Sequence, residues 1–234
     1  RGLGDVYKRQ NIQRLPTPIA SPYAFVLDER NPITERARYI PFVAYQVLRT
    51  SCLPVLAQYL DDPKPTEEMP HDAVQALGRA IAGIRHPFFS DWETLFFALA
   101  KHLPRTGIEP CLPIGKAAEC VKGKRFEPLM GDFSIGGRRE LTAFEALRGV
   151  RNWLFAHGGV ILEETAGKVY NHYLPALDHV LQCFSFLGDC EIRVLEGEEA
   201  LTGAEATVMI RRLIGAEPPE PEEVELTEGC GEAF

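Results

Sequence analysis

A helix with both of its ends written into the chain constrains this sequence more than any other feature. Thr142 and Glu145 form a Thr-x-x-Glu capping box, in which each side chain satisfies a backbone N–H of the other. Gly158 and Gly159 supply the left-handed stop that ends many helices. These signals bracket a helix from about 143 to 157. Between them Phe144, Leu147, Val150 or Arg151, Leu154 and Phe155 recur at steps of three and four, the period of a helix with one buried face. Arg151 then lies near the edge of the apolar stripe with Asn152 beside it, and His157 falls in the last turn. Polar groups so placed are either caps or chemistry. A cation in the last turn gains roughly 0.3 to 1 kcal/mol from the helix dipole, so His157, Arg148 and Arg151 can each be read as a helix charge and nothing more.

Around this element the pattern is helices divided by proline-marked loops, so the expected fold class is mainly α, a helical bundle followed by a small β unit. Leu15-Pro16-Thr17-Pro18 and Ser21-Pro22 predict an extended lead-in over 11–30, because the residue before a proline is pushed out of the helical region. Asn31-Pro32 reads as an N-cap followed by proline at the first helical position. It opens a long apolar helix through Ile40, Val43, Val47, Leu48, Leu56 and Leu60, which Pro41 and Pro54 should kink or divide. Prolines at 63, 65 and 70 mark a loop. Asp72 is placed to cap a short helix carrying Val74, Leu77, Ile81 and Ile84. Ser90 with Glu93 makes a second capping box, for a helix from about 91 to 102. Val169, Tyr173, Leu177, Val180, Phe184 and Leu187 predict a further helix over 163–187, bent or restarted at Pro175. The helical domain thus spans 31–189. Beyond Cys190, 191–195 and 207–213 are rich in Val and Ile around Gly203, which predicts the small β unit over 190–215.

Composition narrows the function classes. With 45% hydrophobic and 25% charged residues, the chain is ordinary for a globular domain that builds its own core. No uninterrupted apolar run approaches the roughly 18 residues of a membrane span, so no membrane segment and a cytoplasmic location are expected. Cys52, Cys111, Cys120, Cys183, Cys190 and Cys230 contain no C-x-x-C pair, which argues against a zinc ribbon and against a small disulfide framework. They read as reduced, mostly core thiols. His172, His179 and Cys183 lie at steps of seven and four on one helix face and could ligate zinc. With no fourth ligand nearby, a buried thiol and satisfied histidines are the commoner reading, and no metal or cofactor is expected. His71, His86 and His102 sit at helix ends or in loops. The glycines of 131–137 lack the Lys-Ser/Thr of a phosphate-binding loop and read as the turn before Thr142.

The net charge of −8 is unevenly spread, because seven glutamates between 216 and 234, with no Lys or Arg among them, account for all but one unit of it. The stretch 111–157 leans the other way: Lys116, Lys122, Lys124, Arg125, Arg138, Arg139, Arg148 and Arg151 outnumber five acids for a balance of +3. A basic surface beside Arg151 and His157 is what phosphate binding needs, and Lys122, Lys124, Arg125 and Arg148 are its candidate RNA contacts. For Lys122-Gly123-Lys124-Arg125 the solvated face of a loop is the commoner explanation.

Arg151-Asn152-Trp153-Leu154-Phe155-Ala156-His157-Gly158-Gly159 resembles the signature of the HEPN superfamily, small helical domains whose motif is an Arg, four to six residues, then a His, commonly with a polar residue after the Arg. Here five residues separate Arg151 from His157, and Asn152 fills the polar position. The spacing is one residue longer than the common Leu-Arg-Asn-x-x-Ala-His-Gly form, and one residue turns a helix by about 100 degrees. The resemblance implies metal-independent RNA cleavage, in which the ribose 2′-hydroxyl attacks the adjacent phosphorus and the protein supplies a base, a positive charge and orientation. In that role His157 is the base, Arg151 clamps the phosphate and Asn152 orients it by hydrogen bonding. Family members usually pair two such helices about a two-fold axis, so a homodimer is implied. Many members have lost cleavage and bind RNA, nucleotides or proteins, which keeps open a non-catalytic helical dimerisation or interaction module.

The two ends carry further expectations. Residues 1–10, Arg-Gly-Leu-Gly-Asp-Val-Tyr-Lys-Arg-Gln, resemble a translated sequencing adapter of the kind found at the edges of metagenomic contigs, and are not expected to belong to the fold. The order of Leu-Pro-Thr-Pro entry, helices, Arg-Asn-His motif and strands resembles the N-terminal accessory module of large bacterial multidomain proteins, some of them tied to defence or stress. The acidic Pro/Glu-rich run 216–234 then reads as the start of a further C-terminal domain.

Overall fold

The computed structural model describes residues 12–62, 69–84, 88–129, 140–156, 161–190, 193–196, 205–217, 220 and 222–227. Residues 1–10, His86, the glycines of 131–137, Arg138, Arg139, His157, Gly158 and Gly159 lie outside them. The described chain is mainly helical. Its helices are α1 (Thr17–Leu27), α2 (Ile33–Asp61), α3 (His71–Gly83), α4 (Phe89–His102), α5 (Ile114–Gly123), α6 (Ala143–Ala156) and α7 (Glu163–Cys183). Two compact units emerge, Phe25–Phe186 and a unit built from both ends, Arg1–Ala24 with Leu187–Phe234.

The larger unit is organised by α2, which packs on α4, α6 and α7. Ala37, Ile40, Ala44, Val47, Leu48, Ser51, Cys52 and Val55 recur at helical steps and are all buried. That stripe is apolar enough to offset what two internal prolines cost, so α2 runs undivided for 29 residues through Pro41 and Pro54. Leu60, expected on the same stripe, is exposed. By length and hydropathy α2 would also suit a membrane, but 56% of its apolar window is buried within the fold. α7 likewise continues through Pro175. Phe144, in the first turn of α6, is the hub of the aromatic core: its ring lies 6.1 Å from Phe89, 6.0 Å from Phe96 and 6.0 Å from Phe184, mostly edge to face.

Several local expectations are corrected by non-local packing. Within the lead-in expected to be extended, 17–27 is the helix α1. Pro18 falls in the first turn, where its missing N–H costs nothing, and Ile19, Ala20, Tyr23 and Val26 bury one face that compensates for Pro22. Asn31 does not cap α2; its side-chain amide donates to the carbonyl of Phe25 at 3.0 Å, tying off the end of α1. Asp72 is not the N-cap of α3, a position Pro70 holds; it lies in the first turn, where its carboxylate accepts from Arg105 at 2.7 Å. α4 begins at Phe89, two residues before the expected start, and the carboxylate that accepts from the N-terminal backbone is Asp91, from Phe88 N–H at 3.0 Å. That releases Glu93. Lys122 and Gly123 end a helix, α5, so the basic loop begins only at Lys124. The cysteines are not all reduced, because Cys120 of α5 and Cys183 of α7 form a disulfide with Cα atoms 5.6 Å apart. Sixty-three residues of separation leave no spacing signal for such a pair.

The motif helix α6 is capped as its sequence predicts. The Glu145 carboxylate accepts from Thr142 N–H at 2.9 Å, and the Thr142 hydroxyl accepts from Glu145 N–H at 3.3 Å. Thr142→Ala removes one half of this exchange and should cost about 1 kcal/mol, readable as a lowered urea midpoint; no loss would mean that packing alone starts the helix.

In the unit formed by the ends, Thr17 N–H donates to Leu213 O at 3.0 Å and Gly215 N–H to Leu15 O at 2.9 Å, with Pro16 and Ile214 facing each other as an antiparallel bridge. Gly215 has φ +74°, the left-handed region that favours glycine. Backbone pairing is antiparallel in the order β1 (Arg193–Glu196), β2 (Glu205–Arg212) and β3 (Glu222–Thr227).

Candidate functional site

The buried face of α6 is formed by Phe144, Leu147, Val150 and Leu154. This fixes which residues its remaining surface presents. Asn152 is exposed and Arg151 half-buried, and Arg151 Nη1 donates to Asn152 Oδ1 at 3.3 Å. The Arg151 guanidinium also lies 5.9 Å from the ring centre of Phe88, a side chain that is itself 57% exposed. Arg151 and Asn152 therefore stand together near the C-terminal end of α6. His157, the third member of the predicted set, lies just past the described end of the helix.

Arg148 takes a different part. Its Nη1 donates to Glu93 Oε2 at 2.7 Å, so the guanidinium is matched to a buried carboxylate on α4 rather than presented as an isolated charge. Burial pushes the Glu93 carboxyl up to about 6, against the pull of Arg148 and with a further push from Glu145. Glu93 was hidden in the sequence behind a capping role that Asp91 fills.

Lys122, Lys124 and Arg125 are exposed. The Lys122 ammonium sits 4.4 Å from the ring centre of Phe97, and that of Lys124 lies 5.3 Å from Phe126. The strand-like contact that follows places them: Phe126 N–H donates to Leu141 O at 2.8 Å and Leu141 N–H to Phe126 O at 2.9 Å. Leu141 precedes α6, so the basic segment abuts the N-terminal end of that helix. At about 1.5 Å per residue, Arg151 is about 14 Å farther along the axis. The two groups are therefore too far apart to meet on one small anion.

A second constellation lies between α5 and α7. The ligand atoms of Cys120, His179 and Cys183 are all within 4.8 Å of one another, a set chemically suited to a metal ion. His172 is not part of it, because its Nε2 is 2.7 Å from Glu127 O. Of this set the sequence pointed to His179 and Cys183, which share one helix; Cys120, on another, had no local signal. Comparison with protein-family models, characterised proteins and solved structures gives no match. The chemistry of the side chains therefore carries the functional argument.

Proposed function

We propose that residues 31–189 are a HEPN-like module of a bacterial protein that binds RNA or cleaves it without a metal, acting as a homodimer. The observation behind this reading is the hydrogen-bonded Arg151 and Asn152 pair on the accessible side of a helix whose opposite face is core. A guanidinium steadied by a neighbouring amide and an aromatic ring suits an RNA phosphate, where its planar donors meet two oxygens at once. Lys122, Lys124 and Arg125 extend the contact toward the other end of α6, and Arg148 is held by Glu93 as part of the support beneath. His157, following the last turn of that helix, takes the 2′-hydroxyl proton. In the same reading 190–215 belong to a small β unit, and the protein works in the cytoplasm.

The test is incubation of the disulfide form of the chain with single-stranded RNAs, with and without chelator. Cleavage that chelator leaves unchanged, ending in 2′,3′-cyclic phosphate, is the expected result. Inert protein across diverse RNAs removes cleavage. A second reading, a helical interaction module, is favoured by Phe88 and Leu162, large apolar side chains 57% and 75% exposed on either side of the motif in the sequence. Salt-insensitive retention of the chain's behaviour with no RNA binding at all would leave that second reading in place.

A further inference from the structure

A disulfide needs two sulfurs and no third group, yet the Cys120–Cys183 pair has an imidazole built against it. His179 stands one turn before Cys183 on α7, with its Nε2 3.6 Å and its Nδ1 4.0 Å from Cys183 Sγ. Ligands held tetrahedrally on zinc, with bonds of about 2.3 Å to sulfur and about 2.0 Å to nitrogen, are about 3.5 to 3.8 Å apart. Nε2 falls within that range and Nδ1 a few tenths of an ångström beyond it, so the imidazole stands close to a ligand's distance from one sulfur. Its orientation is fixed as well. Nε2 is 3.2 Å from the carbonyl oxygen of Cys120, and with the proton on Nε2 donated there, Nδ1 keeps its lone pair for a cation. A backbone carbonyl holding the second ring nitrogen is the usual way a protein aims a metal-binding histidine. The Phe126 ring, 5.8 Å from that of His179, covers one side of the cluster.

We propose that Cys120, His179 and Cys183 form a zinc-class cation site in the reduced protein, and that the disulfide is the empty, oxidised form of the same site. Among the described residues these three ligands stand together as a Cys₂His set. In a reducing compartment the pair stands as two thiols, and the cation then replaces the covalent bond as the link between α5 and α7. The exchange balances. A tertiary phosphine and one water break the S–S bond, both sulfurs leave as thiols, and phosphorus is oxidised to the phosphine oxide. A divalent cation then displaces one proton from each thiol and takes the neutral imidazole as third ligand. Two thiolates and one dication make a site of zero net charge, so the Lys124 ammonium near Phe126 does not oppose occupancy.

The experiment titrates the phosphine-reduced full chain with cobalt(II) and follows thiolate-to-cobalt charge-transfer absorption, then displaces cobalt with zinc. One cation per chain is expected, with two protons released, and none in the oxidised chain. The double variant Cys120→Ser, Cys183→Ser should lose the absorption although Cys52, Cys111, Cys190 and Cys230 remain. His179→Ala should weaken binding at least tenfold, whereas His172→Ala, outside the cluster, should not. X-ray absorption of the zinc-loaded wild type, which needs no variant to fold, should show two sulfurs and one imidazole nitrogen. Reduced wild type with no charge-transfer band, or undiminished affinity in the double variant or in His179→Ala, overturns the proposal and leaves a plain disulfide.

Discussion

Arg148→Ala is expected to destabilise the helical unit by about 3 to 5 kcal/mol at pH 7, because it strips the partner from a carboxylate that is buried and cannot turn to water. The deficit should depend on pH in a stated direction. Glu93 is raised from its ordinary 4.5 to about 6, so the folded protein holds this proton more firmly than the unfolded chain does. Its contribution is therefore fully present below about 4.5 and is lost as pH rises through about 6, a change on the order of 2 kcal/mol in the wild type. Without the guanidinium the folded value climbs further, so the deficit of the variant is small at pH 4.5 and near its maximum at pH 7. Adding Glu93→Gln to Arg148→Ala keeps the side-chain shape, removes the charge, and should restore most of the loss at pH 7. Urea unfolding of wild type, both single variants and the double variant at the two pH values measures all of this. An equal deficit at both pH values, or one under about 1 kcal/mol, would show that the pair is not a buried charge pair.

His157→Ala should lower RNA cleavage by about 10²- to 10⁴-fold, the usual contribution of a positioned general base, while leaving the urea midpoint unchanged. Arg151→Ala should weaken RNA binding and slow the reaction together, since a phosphate clamp acts in both ground and transition states. Substituting Lys124 and Arg125 should instead reduce affinity and flatten its salt dependence, with little effect on the rate at saturating RNA. Activity that survives His157→Ala would remove the histidine from the chemistry, whatever Arg151 does.

What the sequence made legible was local. Thr142, Glu145 and the apolar steps from Phe144 to Leu154 lie within a few turns of one another, and the helix they define stands from Ala143 to Ala156. The failures share a cause. Ser90 and Glu93 match a capping box by residue type, whereas Phe88 has no side-chain acceptor and only Asp91 bonds back to its N–H; the packing of α4 against α6, which buries Glu93 beside Arg148, decides where the helix starts. The prolines of 15–22 carry a local bias that burial of Ile19, Tyr23 and Val26 overrides. The Cys120–Cys183 contact depends on two helices meeting and has no imprint in spacing. For the candidate site, Arg151 and Asn152 were found because helical period placed them at the edge of the buried stripe. The separation between them and the basic segment follows from the Phe126–Leu141 pairing, which only the folded chain shows.

The bond between Cys120 and Cys183 closes a covalent ring around the end of α5, α6 with its two flanking stretches, and the whole of α7. A protease that cuts once inside this ring releases nothing: the chain opens, but its halves travel as one molecule until a reductant separates them. A single nick beside the motif in the oxidised form therefore leaves the mass of the protein essentially intact, whereas the same nick in the reduced form parts Arg151 from the end of the chain that carries Thr142 or from the one that carries α7, depending on which side is cut. Digestion patterns compared with and without reductant thus map where the backbone is open to attack within 120–183, residue by residue, on a molecule that has not yet fallen apart.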